Sequence, residues 1–378
     1  MKQDVFQIAV PDSVLHDLHE RLQRTRWNDA VEEGWAYGTD RTFLQALMQH
    51  WSSAYRWEER QSILGRLPHR RASIDGFGLH FLHFRGGGRS PQPLLLMNGW
   101  PSSFVEYQRL APMLANASKV ATDSEISFDV VIPALPGFGF SDKPTRPNQV
   151  DTVNLFFKLM TEALGYSQFI AAGTDIGAGV ATRLGLKYPQ SVKAIHITAV
   201  VDPPFTPDFR PFTQAEQDYR ARSRQWDTEE GAYQALQSTR PQTLAFSLAD
   251  SPVGLASWII EKFYNWSDCR GDLLGVFPMD TLIDNLMVYW STNTIGSSVR
   301  YYYESRHFRP PLKPGDRVAV PTGVMVLPKD LAQPPREWAE RFYNVQRYSV
   351  LDRGGHFPAW EVPELYATDL RSLVRSVA

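Results

Sequence analysis

Short apolar runs alternate with longer stretches of helical periodicity along most of this chain. The runs are "LHFLHF" (79–84), "LLLM" (94–97), "FDVVIP" (128–133), "QFIAAG" (168–173), "AIHITAV" (194–200), "PTGVMVL" (321–327) and "QRYSVL" (346–351). Runs with no polar face, separated by helices, predict parallel strands covered on both sides. "AGVATRLGLKY" (178–188) supplies one such helix, with Val180, Leu184 and Leu186 as core candidates. Asp75-Gly76 marks a turn before the first run, and "GGGRSPQP" (86–93) reads as loop. The first 80 residues have another character. Asp12 is placed to cap a helix with Leu15, Leu18 and Leu22 on one face, and a second helical stretch covers "DRTFLQALMQHWSSAYRWEERQSIL" (40–64). From 203 to 297 the alternation stops, and a helical, aromatic region follows the proline-rich "DPPFTPDFRPF" (202–212). The expected architecture is α/β: a mostly parallel sheet with helices on both faces, in two parts at 81–202 and 298–378. A helical insertion at 203–297, a candidate lid, interrupts it, and residues 1–80 form an N-terminal extension.

Composition narrows the function classes. The chain has 378 residues, 43% of them hydrophobic and 12% aromatic, enough for a large core and an apolar pocket besides. Its 39 basic residues against 41 acidic ones give a net charge of −2, which offers nothing to nucleic acid or an anionic membrane. Cys269 is the lone cysteine, so neither an internal disulfide nor a cysteine-based metal site is available. The start, "MKQDVFQIAVPDSV", is too polar for a signal peptide or anchor helix. No apolar run reaches the roughly 18 residues of a membrane span. A soluble cytoplasmic protein is the expectation, and a homodimer stays open.

The chemistry concentrates at "GTDIGAG" (173–179). Glycines stand two before and two after Asp175, between a strand and a helix. That is the spacing of a nucleophile elbow, with a carboxylate where a serine usually stands. G-x-D-x-G alone is weak, because glycine and aspartate are common in turns. Its partners fall in the chain order this architecture needs: Asp330 just past "PTGVMVL", then His356 in "LDRGGHFPAWE" just past "QRYSVL". Each has a plainer reading, Asp330 as a cap for "REWAERF" and His356 as a structural histidine after a glycine turn. The loop "NGWPSSFVEY" (98–107) can offer the Trp100 N–H to an oxyanion hole, with the Ile176 N–H as second donor.

An aspartate at the elbow changes the reaction. A serine attacking a saturated carbon would end as an ether. A carboxylate instead forms an alkyl ester whose carbonyl belongs to the protein, and water activated by His356 can open it. Asp330 would orient that histidine. The leaving group is then an epoxide oxygen, which needs a proton donor such as a phenol, or a halide, which needs only N–H donors. The lid offers Tyr233, Tyr302, Trp258, Trp266 and Trp290, and spacing alone does not choose among them.

At this point the chain resembles the epoxide hydrolases of the α/β-hydrolase fold, specifically the microsomal-type branch with an N-terminal extension. The likeness runs nearly end to end, through "RLQRTRW", "GWPSSFVEY", "IPALPGFGFSDKP", "GTDIGAG", "LADSPVGLASWIIEKF", "VPTGVMVLPKD" and "RGGHFPAWEVPEL". It implies a cofactor-independent, metal-free enzyme that converts an apolar epoxide and water to a vicinal diol. Asp175 would be the nucleophile, His356 the base, Asp330 the acid, and Tyr233 and Tyr302 the lid phenols. Tyr301 and Tyr303 flank Tyr302, so the register of the second phenol is open by one. Asn98 stands where the family usually has histidine, which puts side-chain support of that loop in question, and the membrane helix of some relatives is absent. A haloalkane or haloacid dehalogenase on the same scaffold is the alternative, weakened by Ile176 where such enzymes often carry tryptophan. A catalytically silent binding protein is a third reading.

Overall fold

The computed structural model describes residues 3–31, 34–88, 90–116, 126–203 and 210–377. Residues 204–209 of the proline-rich start of the lid, Arg89 of the 86–93 loop and the first two residues of the extension lie outside them. Nine strands form one sheet: β1 (Gln3–Val5), β2 (His69–Ile74), β3 (Phe77–Phe84), β4 (Gln92–Met97), β5 (Phe128–Pro133), β6 (Phe169–Gly173), β7 (Val192–Ile197), β8 (Val318–Val326) and β9 (Tyr343–Val350). Their order is β1-β2-β3-β5-β4-β6-β7-β8-β9. Pairing is antiparallel from β1 to β5 and parallel from β5 through β4 to β9. All seven apolar runs are strands of this sheet, and β5 and β6 are buried at every position, as strands covered on both faces must be. Polar "QDV" and "HRRASI" carry no such signal, yet they add β1 and β2 to the antiparallel edge. Asp75 (φ 52°) and Gly76 (φ 79°) form the two-residue turn that joins β2 to β3.

Helices cover both faces and roof one end. They are α1 (Asp12–Gln23), α2 (Arg41–Ser53), α3 (Trp57–Gly65), α4 (Leu110–Ala115), α5 (Thr152–Lys158), α6 (Asp175–Lys187), α7 (Gln214–Glu229), α8 (Ala232–Thr239) and α9 (Pro241–Asp250). The remainder are α10 (Pro252–Trp266), α11 (Leu273–Val276), α12 (Met279–Thr292), α13 (Ile295–Phe308), α14 (Arg336–Ala339), α15 (Pro358–Glu361) and α16 (Pro363–Ser376). In α6, Val180 and Leu184 are buried and Leu186 half-buried. Asp12 does not cap α1. Pro11 holds the cap position without a side-chain bond, and Asp12 lies in the first turn, where its charge favours the helix dipole. The long second helical stretch is two helices, because Arg56 is extended between Ser53 and Trp57.

The seven helices α7 to α13 lie between β7 and β8 and form the lid. Helix α13 runs unbroken across position 297, where the sequence pattern closes the lid. The N-terminal helices are tied to this roof. Arg21 Nη1 donates to the Asp250 carbonyl at 2.7 Å and its carboxylate at 2.6 Å. Tyr55 and Arg60 both donate to the buried Asp284 of α12, at 2.9 and 3.0 Å. Among the described residues no single helix is long and apolar enough to cross a membrane. Helices α9 and α10 reach that apolarity only in sum, and they meet at 116°.

Candidate active site

Strand β4 lies between β5 and β6, where the strand order reverses, the point of an open α/β sheet at which ligands bind beyond the strand ends. Asp175 lies two residues past the end of β6 and begins α6 with φ 48°, the left-handed region that a non-glycine residue occupies at a cost of order 1–3 kcal/mol. The elbow closes only because of its glycines. A Cβ on Gly173 would sit 2.3 Å from the Gly177 backbone, and one on Gly177 would sit 2.3 Å from the Met97 carbonyl. Gly179, the last glycine of the motif, has open space around it and plays no such part.

The loop after β4 comes equally close. A Cβ on Gly99 would meet Asp175 Oδ1 at 1.9 Å, so glycine is what lets the next peptide reach the carboxylate. The Trp100 N–H donates to Oδ1 at 2.9 Å, and the Ile176 N–H adds a second favourable dipole to the carboxylate. His356 Nε2 is 3.6 Å from the other oxygen, Oδ2. On its far side His356 Nδ1 is 2.7 Å from Asp330 Oδ1, which also accepts the Leu331 N–H at 2.7 Å. Asp330 is therefore bonded to the imidazole and does not cap the following helix, whose cap position is Pro335. The three side chains are 18% (Asp175), 5% (His356) and 5% (Asp330) exposed.

Charge follows from that burial. Desolvation raises the Asp175 carboxyl, opposed by His356 and by the two N–H donors. Burial alone would lower His356, yet the charge and hydrogen bond of Asp330, then the charges of Asp175 and Glu106, lift it to about 9. The surrounding carboxylates therefore favour the imidazolium form of His356.

Above the carboxylate, the lid supplies aromatic rings. Tyr233 (α8) stacks on Trp100 at 5.6 Å, and Tyr302 (α13) meets the same indole edge-on at 6.2 Å. The two phenol rings are 6.0 Å apart. The Tyr302 hydroxyl is buried and, although the Tyr233 hydroxyl is its electrostatic neighbour, it has no partner in hydrogen-bonding geometry. Both phenols are pushed above their ordinary pKa, by burial first and then by nearby charge that includes Asp175. The neighbours of Tyr302 are otherwise engaged: Tyr301 reaches Thr152 at 3.4 Å, and Tyr303 stacks on His307 at 3.9 Å. Trp266 packs edge-on against His356 at 5.2 Å, and its carbonyl accepts the His356 N–H at 2.8 Å. Trp258 Nε1 donates to Gln237 Oε1 at 3.0 Å. Trp290 borders a cleft of about 380 Å³ between α1 and the lid, which reaches Tyr289 but is not lined by Asp175.

The family model "Epoxide hydrolase N terminus" matches residues 3–107, and that of the "alpha/beta hydrolase fold" matches 92–363. A protein of Stigmatella aurantiaca is 40% identical over 98% of this chain and 84% of its own. Epoxide hydrolase 1 of Oryctolagus cuniculus is 32% identical over 98% of this chain and 88% of its own. The crystal structure of juvenile hormone epoxide hydrolase from the silkworm Bombyx mori superposes with a TM-score of 0.90 at 30% identity, covering 100% of this chain and 95% of that one. This chain belongs to the epoxide hydrolases. Hydration of an epoxide to a diol, and not halide release, is the reaction of that family.

Several side chains around the site of this epoxide hydrolase escape sequence reasoning. Asn98 does support its loop: Nδ2 donates to the Gly99 carbonyl and to Ser102 Oγ, each at 3.0 Å. Ser102 in turn donates to the buried Glu106 at 2.7 Å. From the lid, Asn285 donates to the Pro101 carbonyl at 2.8 Å and Tyr289 to that of Ser102 at 2.9 Å. A glutamate inside apolar "FVEY" was the available signal for Glu106. Nothing in the spacing of α12 singles out Asn285 or Tyr289.

Proposed function

We propose that Asp175 is the nucleophile, His356 the general base, Asp330 its orienting acid, Tyr233 and Tyr302 the proton donors, and the N–H groups of Trp100 and Ile176 the oxyanion hole. The observation that carries this is the division of labour on one carboxylate. Oδ1 is held by the Trp100 N–H at 2.9 Å while Oδ2 faces His356 at 3.6 Å. Oδ2 attacks a ring carbon, the C–O bond of the epoxide breaks, and its oxygen takes a proton from a phenol. Oδ1 remains as the carbonyl oxygen of the ester, already in the hole. His356 then takes a proton from water, hydroxide adds to Cγ, and the oxyanion on Oδ1 is held by the two N–H groups. Collapse breaks the ester C–O bond, and the departing alkoxide takes the proton that His356 drew from water to complete the diol. The carboxyl proton left on Asp175 returns to His356, and the new oxygen on Asp175 comes from water.

Alkylation itself readies the second step. Esterification removes the Asp175 charge, one cause of the high proton affinity of His356, so the imidazole passes its proton to the phenolate left by ring opening and is free to act as a base. The aromatic walls of Trp100, Trp266, Tyr233 and Tyr302 favour an apolar epoxide. We further propose the division into an extension (1–80), a core (81–202 and from the end of α13 onward) and a lid (from 203 through α13). The test is one turnover in ¹⁸O water with excess enzyme. The expected diol carries no label, and the Asp175 peptide gains one ¹⁸O. Label in the diol with none in that peptide overturns the covalent route.

A further inference from the structure

Lys262 is a cation inside the lid, and the reaction as written does not use it. It lies on α10 between Trp258 and Trp266, at intervals of four that put all three on one helix face. Its residue is only 6% exposed. The ammonium lies 5.2 Å from the ring centre of Tyr233, 5.5 Å from that of Trp266 and 5.9 Å from that of Trp258. Glu261 is its ion-pair partner on the same helix. Burying an ammonium among rings is costly, and a methionine of similar length would fill the space without that cost.

The place it occupies gives the charge a use. Tyr233 already feels three carboxylates that disfavour a phenolate: Asp175, Asp227 and Glu230. Glu261 pairs with the lysine and offsets part of its charge. When the epoxide oxygen draws the phenolic proton away, negative charge moves onto the Tyr233 ring. A cation against that ring is attracted more strongly to a phenolate than to a phenol, so it favours the transition state over the resting state. Trp100 stacks on Tyr233 and Trp266 packs tilted at 4.9 Å, which keeps the ring from turning away.

We infer that Lys262 is a positioning residue for ring opening: its ammonium, caged by Tyr233, Trp258 and Trp266, holds the Tyr233 phenol in place and stabilises the charge that develops on it. The inference rests on the reading of Tyr233 as a proton donor to an epoxide opened by Asp175.

The test separates the two half-reactions with styrene oxide as probe, following tryptophan fluorescence and the mass of the trapped ester. In K262M the alkylation rate should fall by about tenfold or more, the scale of a desolvated cation–π contact, while hydrolysis of the ester changes less than about twofold. K262R, which keeps the charge, should stay within about threefold of wild type. In a Y233F background, K262M should cost less than about a further twofold, because the phenol it serves is gone. Alkylation unchanged in K262M, equal loss in both half-reactions, or the full loss persisting in the Y233F background overturns the assignment. K262Q replaces K262M should the latter not fold. If neither neutral variant folds while K262R does, the lysine is a packing requirement and the assignment is equally overturned. Absence of any ester in wild type instead sinks the Asp175 reading, an outcome visible before any Lys262 variant is compared.

Discussion

The floor and the roof of this site are built by different means. On the floor, Asp175, Trp100 and Ile176 are fixed by backbone: a left-handed residue, glycines with no room for a Cβ, and N–H groups aimed at one carboxylate. In the roof, Tyr233, Tyr302, Trp266 and Lys262 are fixed by ring-on-ring packing between helices. Backbone geometry is close to all-or-none, since a peptide either points at the oxyanion or does not. Packing is graded, because rings can shift by a few tenths of an ångström. Floor substitutions should therefore abolish a step, and roof substitutions should tune one.

The sharpest break is at the nucleophile. Asp175→Ala should lose at least about 10⁴-fold in turnover, with no ester detectable by mass, because no other group can form the intermediate. Activity within about tenfold of wild type would end the division between floor and roof. His356→Gln should slow ester opening by about 10³-fold while alkylation persists, so the +substrate mass builds up on Asp175. Stability carries the same residue's mark. His356 is raised from 6.5 to about 9, so its favourable coupling is complete below pH 6.5 and is lost as pH climbs through about 9. Wild type should thus lose up to about 3 kcal/mol relative to His356→Gln between those pH values, read from urea midpoints. A flat difference would mean that the imidazolium is not held by its carboxylates.

The roof should respond by degrees. Tyr233→Phe and Tyr302→Phe should each slow alkylation by about 10- to 100-fold and leave ester hydrolysis nearly unchanged. The double variant should be slower than either, since each phenol can still serve alone. If one single variant is as damaged as the double, only that phenol donates.

What could be read from the chain follows the same line. The seven apolar strands were legible as strands, though β3 pairs antiparallel where a parallel partner was expected, and so were the positions of Asp175, Asp330 and His356, because a buried strand has no polar face and an elbow needs glycines at fixed offsets. Polar β1 and β2 were not, since an antiparallel edge strand half in water gives no apolar run. The boundary at 297 falls inside α13, whose pattern has no break there, while Leu186 packs against the core and stays half-buried. Tyr302 was narrowed to three neighbours by sequence and is singled out by its unpartnered, inward hydroxyl. Lys262, Asn285 and Tyr289 stayed hidden because each is defined by what lies across space, not along the chain.

The smallest effect tests how far the floor extends. Glu106 lies behind the oxyanion loop, buried, tied to Ser102 at 2.7 Å, and its own pKa is pushed up to about 7 by burial, with the Ser102 hydrogen bond and the charge of His356 opposing. It is the weakest of the named causes that raise His356, behind Asp330 and Asp175. Glutamine keeps the hydrogen bond to Ser102 and removes only the charge. In Glu106→Gln the imidazole should give up its proton more readily, so the acid limb of ester hydrolysis should move to lower pH, by less than about one unit. Alkylation and the tyrosine-dependent step should be untouched. A limb that stays put, or moves upward, would confine the electrostatic frame of the histidine to its two aspartates and leave Glu106 as a brace for the loop alone. A downward shift with unchanged alkylation would make the floor a network of three carboxylates around one imidazole, which no packed roof could imitate.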